Sequence, residues 1–280
     1  MNFLQAQHAG LELRAALPKS LKESSGLAVT GINSLWTHND DSYPILYNFD
    51  TLGKVTGTVH LNHPNIGWED LARDKEGNVY IGAFGNNKNN RNNLKIYKLG
   101  TPDSITQKVV NAEVIRYTYQ DQKSYPPEKD RLNYDMDAMT IIDDSLYLFS
   151  KNRTVPFDGY TKIYKLPLTP GDHTAMLVDS VYLCSDSMLT CWVTSADVTP
   201  DQNHLVLLGH DKIWLFALHE KNQFSKSKFV QIELNHFSHK AAICFFNDTE
   251  VYITDELEMG ILGGKLYSFN LSDWINSGWE

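Results

Sequence analysis

Trp68-Glu69-Asp70-Leu71-Ala72-Arg73-Asp74-Lys75-Glu76-Gly77-Asn78-Val79-Tyr80-Ile81-Gly82 reads as a β-hairpin. A short strand begins at Asp70, a polar Lys-Glu-Gly-Asn turn follows, and a β-rich strand leaves it. Two adjacent carboxylates, Glu69 and Asp70, stand where the first strand starts. The design recurs along the chain, and such a period decides a fold better than any single motif.

Aligned on the apolar residue that opens each hairpin, five copies begin at Ser25, Glu69, Asp137, Ala196 and Ala241. The turns after them run over 31–34, 75–78, 143–145, 201–204 and 247–250. They are rich in Gly, Asn, Asp and Ser, which tolerate left-handed or self-bonded backbone. Second strands follow at 35–37, 79–81, 146–148, 205–207 and 251–253, built from β-branched and aromatic residues. A third strand recurs as Ile45-Leu46-Tyr47, Lys95-Ile96-Tyr97, Lys162-Ile163-Tyr164, Lys212-Ile213-Trp214 and Lys265-Leu266-Tyr267, alternating with the period of two that a strand requires. A weaker fourth strand is read at 55–61, 113–119, 180–183 and 229–234.

The fifth copy lacks a fourth strand, and 11–17 offers a spare one ahead of the first copy. The expectation is one all-β domain over 1–280, a five-bladed β-propeller of four-stranded antiparallel blades. Its N-terminal strand closes the last blade beside Lys265–Phe269. A six-bladed ring is the alternative, because longer stretches separate copies two, three and four. A sandwich with accidental similarity is the third possibility.

Composition narrows the function classes. The 280 residues carry a net charge of -9, which argues against a general nucleic-acid surface or an anionic membrane. No apolar run is long enough to span a bilayer. Met1 to Gly10 lacks the basic start and apolar core of a signal peptide, so a soluble monomer of open compartment is expected. Three cysteines and no CxxC argue against a disulfide framework. Cys184 and Cys191 are expected as free buried thiols, with pairing the alternative. There is no HExxH helix, no GxSxG elbow, and Gly263-Gly264-Lys265 lacks the spacing of a P-loop.

In an up-and-down ring, the starts of the first strands and the ends of the second strands share one face. The starts carry Glu69, Asp70, Asp137 and Asp197, candidate ligands for a hard cation such as Ca²⁺, which takes about six to eight oxygens. The ends carry Asn39 beside Asp40, Asn86 beside Asn87, Lys151, Arg153, Asp255 and Glu256, and Asn39, Asn86, Lys151, Arg153, Asp255 and Glu256 are candidate contacts for a small polar ligand. Lys151 and Arg153 would equally neutralise the acids as plain ion pairs, or hold an anionic group. His38 and His210 occupy matching ends of second strands and are candidate general bases. The tryptophans and tyrosines sit mainly on strand positions and read as core packed between blades.

Glu23-Ser24-Ser25-Gly26-Leu27, Leu35-Trp36-Thr37-His38-Asn39-Asp40, Gly67-Trp68-Glu69-Asp70-Leu71, and Gly85-Asn86-Asn87 with Arg91 resemble a group of bacterial, Bacteroidetes-type β-propeller proteins. They are distantly similar to the SdiA-regulated and esterase-like phytase propeller families. The resemblance runs along the whole chain and implies the fold and export by relatives. The group tends to carry an acid at Ala83, Glu at Asp137, and Glu-Ala at Ala241-Ala242. The two missing carboxylates weaken a cation site inferred from relatives and favour a binding or structural role over hydrolysis.

The functional expectation is a divalent cation or small polar ligand at an acidic channel mouth. A metal-dependent hydrolase of the lactonase, phosphoesterase or phytase-like kind is the alternative, and a protein-interaction scaffold on the loop face is a third.

Overall fold

The protein is described by a computed structural model that covers residues 10–218 and 222–277. The start of the chain read above for a leader lies, apart from Gly10, outside the described residues.

The quoted stretch forms its hairpin. Its strands are Trp68–Arg73 and Val79–Ala83. Asp74 builds the turn: its Oδ1 accepts the Asn78 N–H at 2.8 Å, and its Oδ2 accepts the Asn78 amide at 2.7 Å and the Tyr80 hydroxyl at 3.0 Å. Gly77 supplies the left-handed residue, with φ +86°. The first strand starts at Trp68, two residues before the sequence reading placed it.

In chain order the strands are β1 (Glu12–Ala16), β2 (Ser24–Gly31), β3 (Ser34–Asn39), β4 (Ile45–Phe49) and β5 (Val55–Leu61), then β6 and β7 (the hairpin), β8 (Leu94–Leu99), β9 (Val109–Val110) and β10 (Glu113–Tyr119). They continue as β11 (Met136–Ile142), β12 (Ser145–Ser150), β13 (Tyr160–Pro167), β14 (Gly171–Tyr182), β15 (Ser195–Val198), β16 (His204–Leu208), β17 (Lys212–Ala217) and β18 (Phe229–Glu233), and end with β19 (Lys240–Phe245), β20 (Glu250–Asp255) and β21 (Lys265–Asn270). The helices are single turns, α1 (Met188–Cys191) and α2 (Ser272–Ile275), and among the described residues no helix is long and apolar enough to cross a membrane.

Four sheets result. One is β2-β3-β4-β5 with β9 parallel on its edge, and another is β15-β16-β17-β18. The eight-stranded sheet is β6-β7-β8-β10 joined to β14-β13-β12-β11 through a parallel β10–β14 pairing. The fourth, β1-β21-β20-β19, joins the two ends of the chain: Glu12 pairs with Ser268 and Ala16 with Lys265. The Leu17 N–H extends this pairing to the Gly264 carbonyl at 2.8 Å.

The innermost strands β2, β6, β11, β15 and β19 touch one another in cyclic order. Apolar faces of successive sheets pack between them. Trp68, Ile81 and Tyr97 meet Trp36 and Leu46, and Phe149 meets Leu205, Trp214 and Phe216. Each large side chain buried so completely contributes about 2–3 kcal/mol.

Four of the five inner strands begin with a bulge, between Ser25 and Leu27, Trp68 and Leu71, Met136 and Ala138, and Lys240 and Ala242. Bulges re-aim side chains at strand ends, and here they turn Glu69 and Asp137 toward one end of the channel.

Two sequence expectations are corrected. Cys184 and Cys191 are joined by a disulfide, with Cα atoms 5.8 Å apart, because the turn of α1 folds the loop back on itself. Cys244 remains a free buried thiol. The fourth copy, moreover, is displaced. Leu71 pairs with Ile81, and the equivalent pair in the fourth copy is Ala196 with Leu207. Thr194 and Ser195, rather than Ala196 and Asp197, therefore match Glu69 and Asp70. A two-residue slip keeps every side chain on its own face, so the alternating pattern carried no trace of it.

Candidate functional site

The slip in the fourth copy decides which acids reach the channel mouth. A polar cavity of about 230 Å³ opens there, lined by Ser25, Glu69, Asp137, Thr194 and Ala241 at the inner-strand starts. Asp40, Asn87, Lys151, Arg153 and Glu256 reach it from the ends of second strands and the loops after them, Trp192 and His239 from the connections into the last two inner strands, and Lys240 from the first position of β19.

Glu69 and Asp137 are where the sequence placed them. Asp70 and Asp197 are not. Asp70 is fully buried among the inner strands, and its carboxylate accepts four bonds. Oδ1 accepts the Leu71 N–H at 2.9 Å and the Ser195 hydroxyl at 3.0 Å; Oδ2 accepts the Met139 N–H at 2.8 Å and the Ala196 N–H at 3.3 Å. Leu71, Met139 and Ala196 are equivalent positions of three copies. In the fifth copy the equivalent Ile243 N–H donates to Ser195 Oγ at 3.1 Å. One carboxylate thus satisfies inward N–H groups around the ring. Burial raises its pKa well above the usual carboxylate range despite those donors. Asp197 sits deeper, accepting the Phe245 N–H at 2.8 Å, and lines a second cavity at the other end of the channel with Cys244. Burial raises its pKa to about 6.

Of the candidate ligand contacts, Lys151, Arg153 and Glu256 face the cavity. Asn39, Asn86 and Asp255 are taken up by the fold. Asn39 Oδ1 accepts the Glu23 N–H at 3.0 Å, Asn86 Nδ2 donates to the Tyr134 carbonyl at 2.9 Å, and Asp255 accepts from Lys265 N–H at 2.8 Å and the Tyr267 hydroxyl at 3.1 Å. Neither candidate base lines the cavity. His38 is fully buried edge-on to Trp68, with its ring centroid 5.5 Å away, and burial lowers its pKa to about 4. His210 is buried between Trp192, Phe237 and His239, and burial together with the Lys151 charge lowers its pKa to about 3. The imidazole that reaches the cavity is His239, with Nδ1 3.5 Å from both Glu256 and Glu258.

Lys151 pairs with Asp137, and Arg153 Nε donates to Asp135 at 2.5 Å and another guanidinium N–H to Asn87. Both cations lie over the Trp192 ring, 5.0 and 4.7 Å from its centroid. Trp192 is held by its Nε1–H bond to the Asn152 carbonyl at 2.7 Å, and it departs from the expectation that the tryptophans are core. Burial disfavours the Lys151 charge, but Asp137, Asp135 and Glu69 around it raise its pKa. Lys240 is a buried amine bonded to the His210 and His236 carbonyls at 2.9 and 2.6 Å, and burial lowers its pKa to about 8.

The acids outnumber these cations. Burial, then the Asp137 charge, raises Asp40 to about 7. Burial, then the Asp40 charge, raises Glu256 to about 8. Burial, then Asp137 and Asp40, raises Glu69 well above its ordinary range. Burial and Asp137 raise Asp135 to about 6. Asp137 is itself 6% exposed, and its Oδ1 has no hydrogen-bond partner.

Metal spacing is a separate matter. Among the described residues, no three acids or histidines of the mouth bring ligand atoms within 4.8 Å of one another. Cys184, Asp186 and Cys191 do, but both sulfurs are spent in the disulfide.

The sequence missed Trp192, Thr194 and His239 as wall residues. All three stand just ahead of an inner strand, on the face that the starts of those strands share.

No family model matches the chain, and no curated protein matches it. Solved structures do. The PQQ-bound aldose sugar dehydrogenase from Streptomyces coelicolor aligns over 94% of this chain and 98% of its own, at TM-score 0.53 and 11% identity. A gluconolactonase from Xanthomonas campestris aligns over 95% and 87%, at 0.48 and 11%, and a virginiamycin B lyase from Staphylococcus aureus over 91% and 68%, at 0.43 and 11%. The fold is propeller-like. At such identity the likeness is one of fold alone, and a propeller hosts many chemistries. The cavity described above lies at one mouth of this propeller's channel, and what it does must be argued from its own residues.

Proposed function

We propose that residues 1–280 form one five-bladed propeller whose mouth cavity binds a small polar ligand carrying a positive charge. The blade count takes the eight-stranded sheet as two blades joined at their edges by the parallel β10–β14 pairing, and it rests on the cyclic order of the five inner strands. The ligand reading rests on Asp137. Its buried Oδ1 lacks a partner, and Asp137 lines a cavity with Asp40, Glu69 and Glu256, whose pKa values burial and their neighbours' charges push above the ordinary carboxylate range. A cation entering there would meet the Asp137 carboxyl and favour the ionised form of the acids beside it. An organic ammonium or guanidinium fits better than bare Ca²⁺, which needs several oxygens at about 2.3–2.6 Å from one point, closer than these acids converge.

The test is a thermal-shift and calorimetric titration of the full chain, as a monomer, with agmatine, methylammonium and Ca²⁺. A ligand that binds only the folded state raises the melting temperature through RT ln(1 + [L]/Kd). Agmatine is expected to do so, and Asp137→Asn to abolish the shift. Unchanged melting with every cation would refute the reading.

A second reading, acid–base turnover in the same cavity, is favoured by Asp40 and Glu256, whose pKa values of about 7 and about 8 suit proton transfer near neutrality. His239 would then be the imidazole at hand. Chelator-insensitive turnover of a lactone, aryl ester or phosphoester that Glu256→Gln removes would establish it over the metal-dependent form.

A further inference from the structure

Exposed apolar side chains are spread unevenly over the two faces of the ring. On the mouth face the loops present Tyr43, Leu189, Phe237, Met259, Ile261 and Leu262, of which Met259 is 92% and Ile261 79% exposed. The turns of the opposite face present Ile32 and Leu52. Isolated exposed apolar residues are ordinary; a concentration around one opening marks an interaction surface.

These side chains hang from the segments that wall the cavity. Tyr43 lies in the loop that begins at Asp40. Leu189 sits in the loop closed by the Cys184–Cys191 disulfide, directly before Trp192. Phe237 precedes His239 by two residues and stands edge-on to His210, 5.8 Å between centroids. Met259, Ile261 and Leu262 form the tip of the loop after Glu256. A Glu258–Leu262 bridge closes that tip, and Glu258 lies 3.5 Å from His239.

Resting on the cavity reading above, we infer that the mouth face is a docking surface for a protein segment that inserts an arginine or lysine side chain into the cavity and lays flanking apolar side chains on the rim. The charges select this occupant. The cavity offers a cation four carboxyls, Asp40, Glu69, Asp137 and Glu256, against the three cations Lys151, Arg153 and Lys240, with Asp137 Oδ1 unpartnered, and the rim offers apolar area on either side of it. A membrane surface offers apolar area too, but an anionic one is repelled by the net charge of -9. A small amine fills the cavity and leaves the rim in water. A basic residue with apolar neighbours uses both, and the central cation in a desolvated pocket with surrounding apolar contact is the usual anatomy of an anchor residue.

The experiment compares four probes by calorimetry on the full chain: agmatine, acetyl-Ser-Arg-Ser-amide, acetyl-Leu-Arg-Phe-amide and acetyl-Leu-Glu-Phe-amide. The apolar-flanked arginine peptide is expected to bind about tenfold tighter than the serine-flanked one. A Met259→Ser, Ile261→Ser variant is expected to lose that gain while binding agmatine as before, and the glutamate peptide should not bind. If agmatine and both arginine peptides bind alike, the docking inference fails and the cavity reading stands. If none binds, the cavity reading fails with it. If the wild-type chain self-associates in sedimentation velocity and the rim variant does not, the rim is covered by a second copy, and the peptide partner is overturned.

Discussion

The Ser195 hydroxyl donates to Asp70 Oδ1 at 3.0 Å, joining inner strands 125 residues apart in the chain. The same oxygen of Ser195 accepts from Ile243, so a single carboxylate and a single hydroxyl tie β6, β11, β15 and β19 together at the channel centre.

Every group around the Asp70 carboxylate is a donor, so an amide is a poor substitute. Asp70→Asn turns an NH₂ toward N–H or O–H groups and leaves buried donors unpaired. The expected cost is about 3 kcal/mol of unfolding free energy, read as a lowered urea midpoint with unchanged slope. A variant within experimental error of wild type would show that these bonds do not hold the ring.

Removing residues 1–17 uncovers the outer edge of β21, which β1 now pairs. An unpaired edge invites association with other chains. The truncated protein should melt about 5 °C lower, a shift on the order of 2 kcal/mol for a chain of this size, and should aggregate on heating. Melting that matches the full chain would show that closure does not depend on β1.

Cys184→Ser with Cys191→Ser opens the short loop before Trp192. Loop-closure entropy puts the loss at about 2 kcal/mol. Because Trp192 carries Lys151 and Arg153 over its ring, its fluorescence should shift as well. A stability loss with unchanged tryptophan emission would separate the disulfide from the mouth.

Stability should fall as the pH rises from 6.5 to 8. Asp40 and Glu256 keep protons in the folded state up to about 7 and about 8 that the unfolded chain gives up near 3.8 and 4.5. What they contribute is therefore greatest in acid and is lost as pH climbs through those values. His38 and His210, with folded values of about 4 and about 3, act in the opposite sense, but only below 6.5. Melting temperatures across the window check this. Asp40→Asn with Glu256→Gln should flatten the decline, and a flat wild-type profile would contradict the buried-acid picture.

The strand pattern was legible because alternation and turn chemistry are local. Val55–Leu61 and Glu113–Tyr119 were read to the residue. The pairing of 11–17 with the last strand was legible from a missing fourth strand alone. The site was harder. Asp197 was read two residues out of register because such a slip is silent in an alternating pattern. Asp70 and Glu69 are neighbours in sequence, yet the bulge between Trp68 and Leu71 sends one carboxyl among backbone donors and the other to the cavity. The roles of His38 and His210 depended on burial, which sequence does not report for a strand end flanked by polar residues. The Cys184–Cys191 bond depended on one turn of helix too short to leave a periodic signal.

The centre of the channel has room for one acid. The positions equivalent to Asp70 hold Gly26, Ala138, Ser195 and Ala242, and at Gly26 a methyl group would already stand 2.6 Å from the Leu71 nitrogen. Five identical repeats would bring five carboxyls into that space, where neither water nor counter-charge could separate them. Duplicating the second repeat would therefore crowd the hub with carboxyls, whereas averaging the repeats would place alanine there and leave the N–H groups of Leu71, Met139 and Ala196 without the carboxylate that accepts them. The likeness that makes the copies recognisable is compulsory in the strands and forbidden at the hub, and each copy is fitted to one place in the circle.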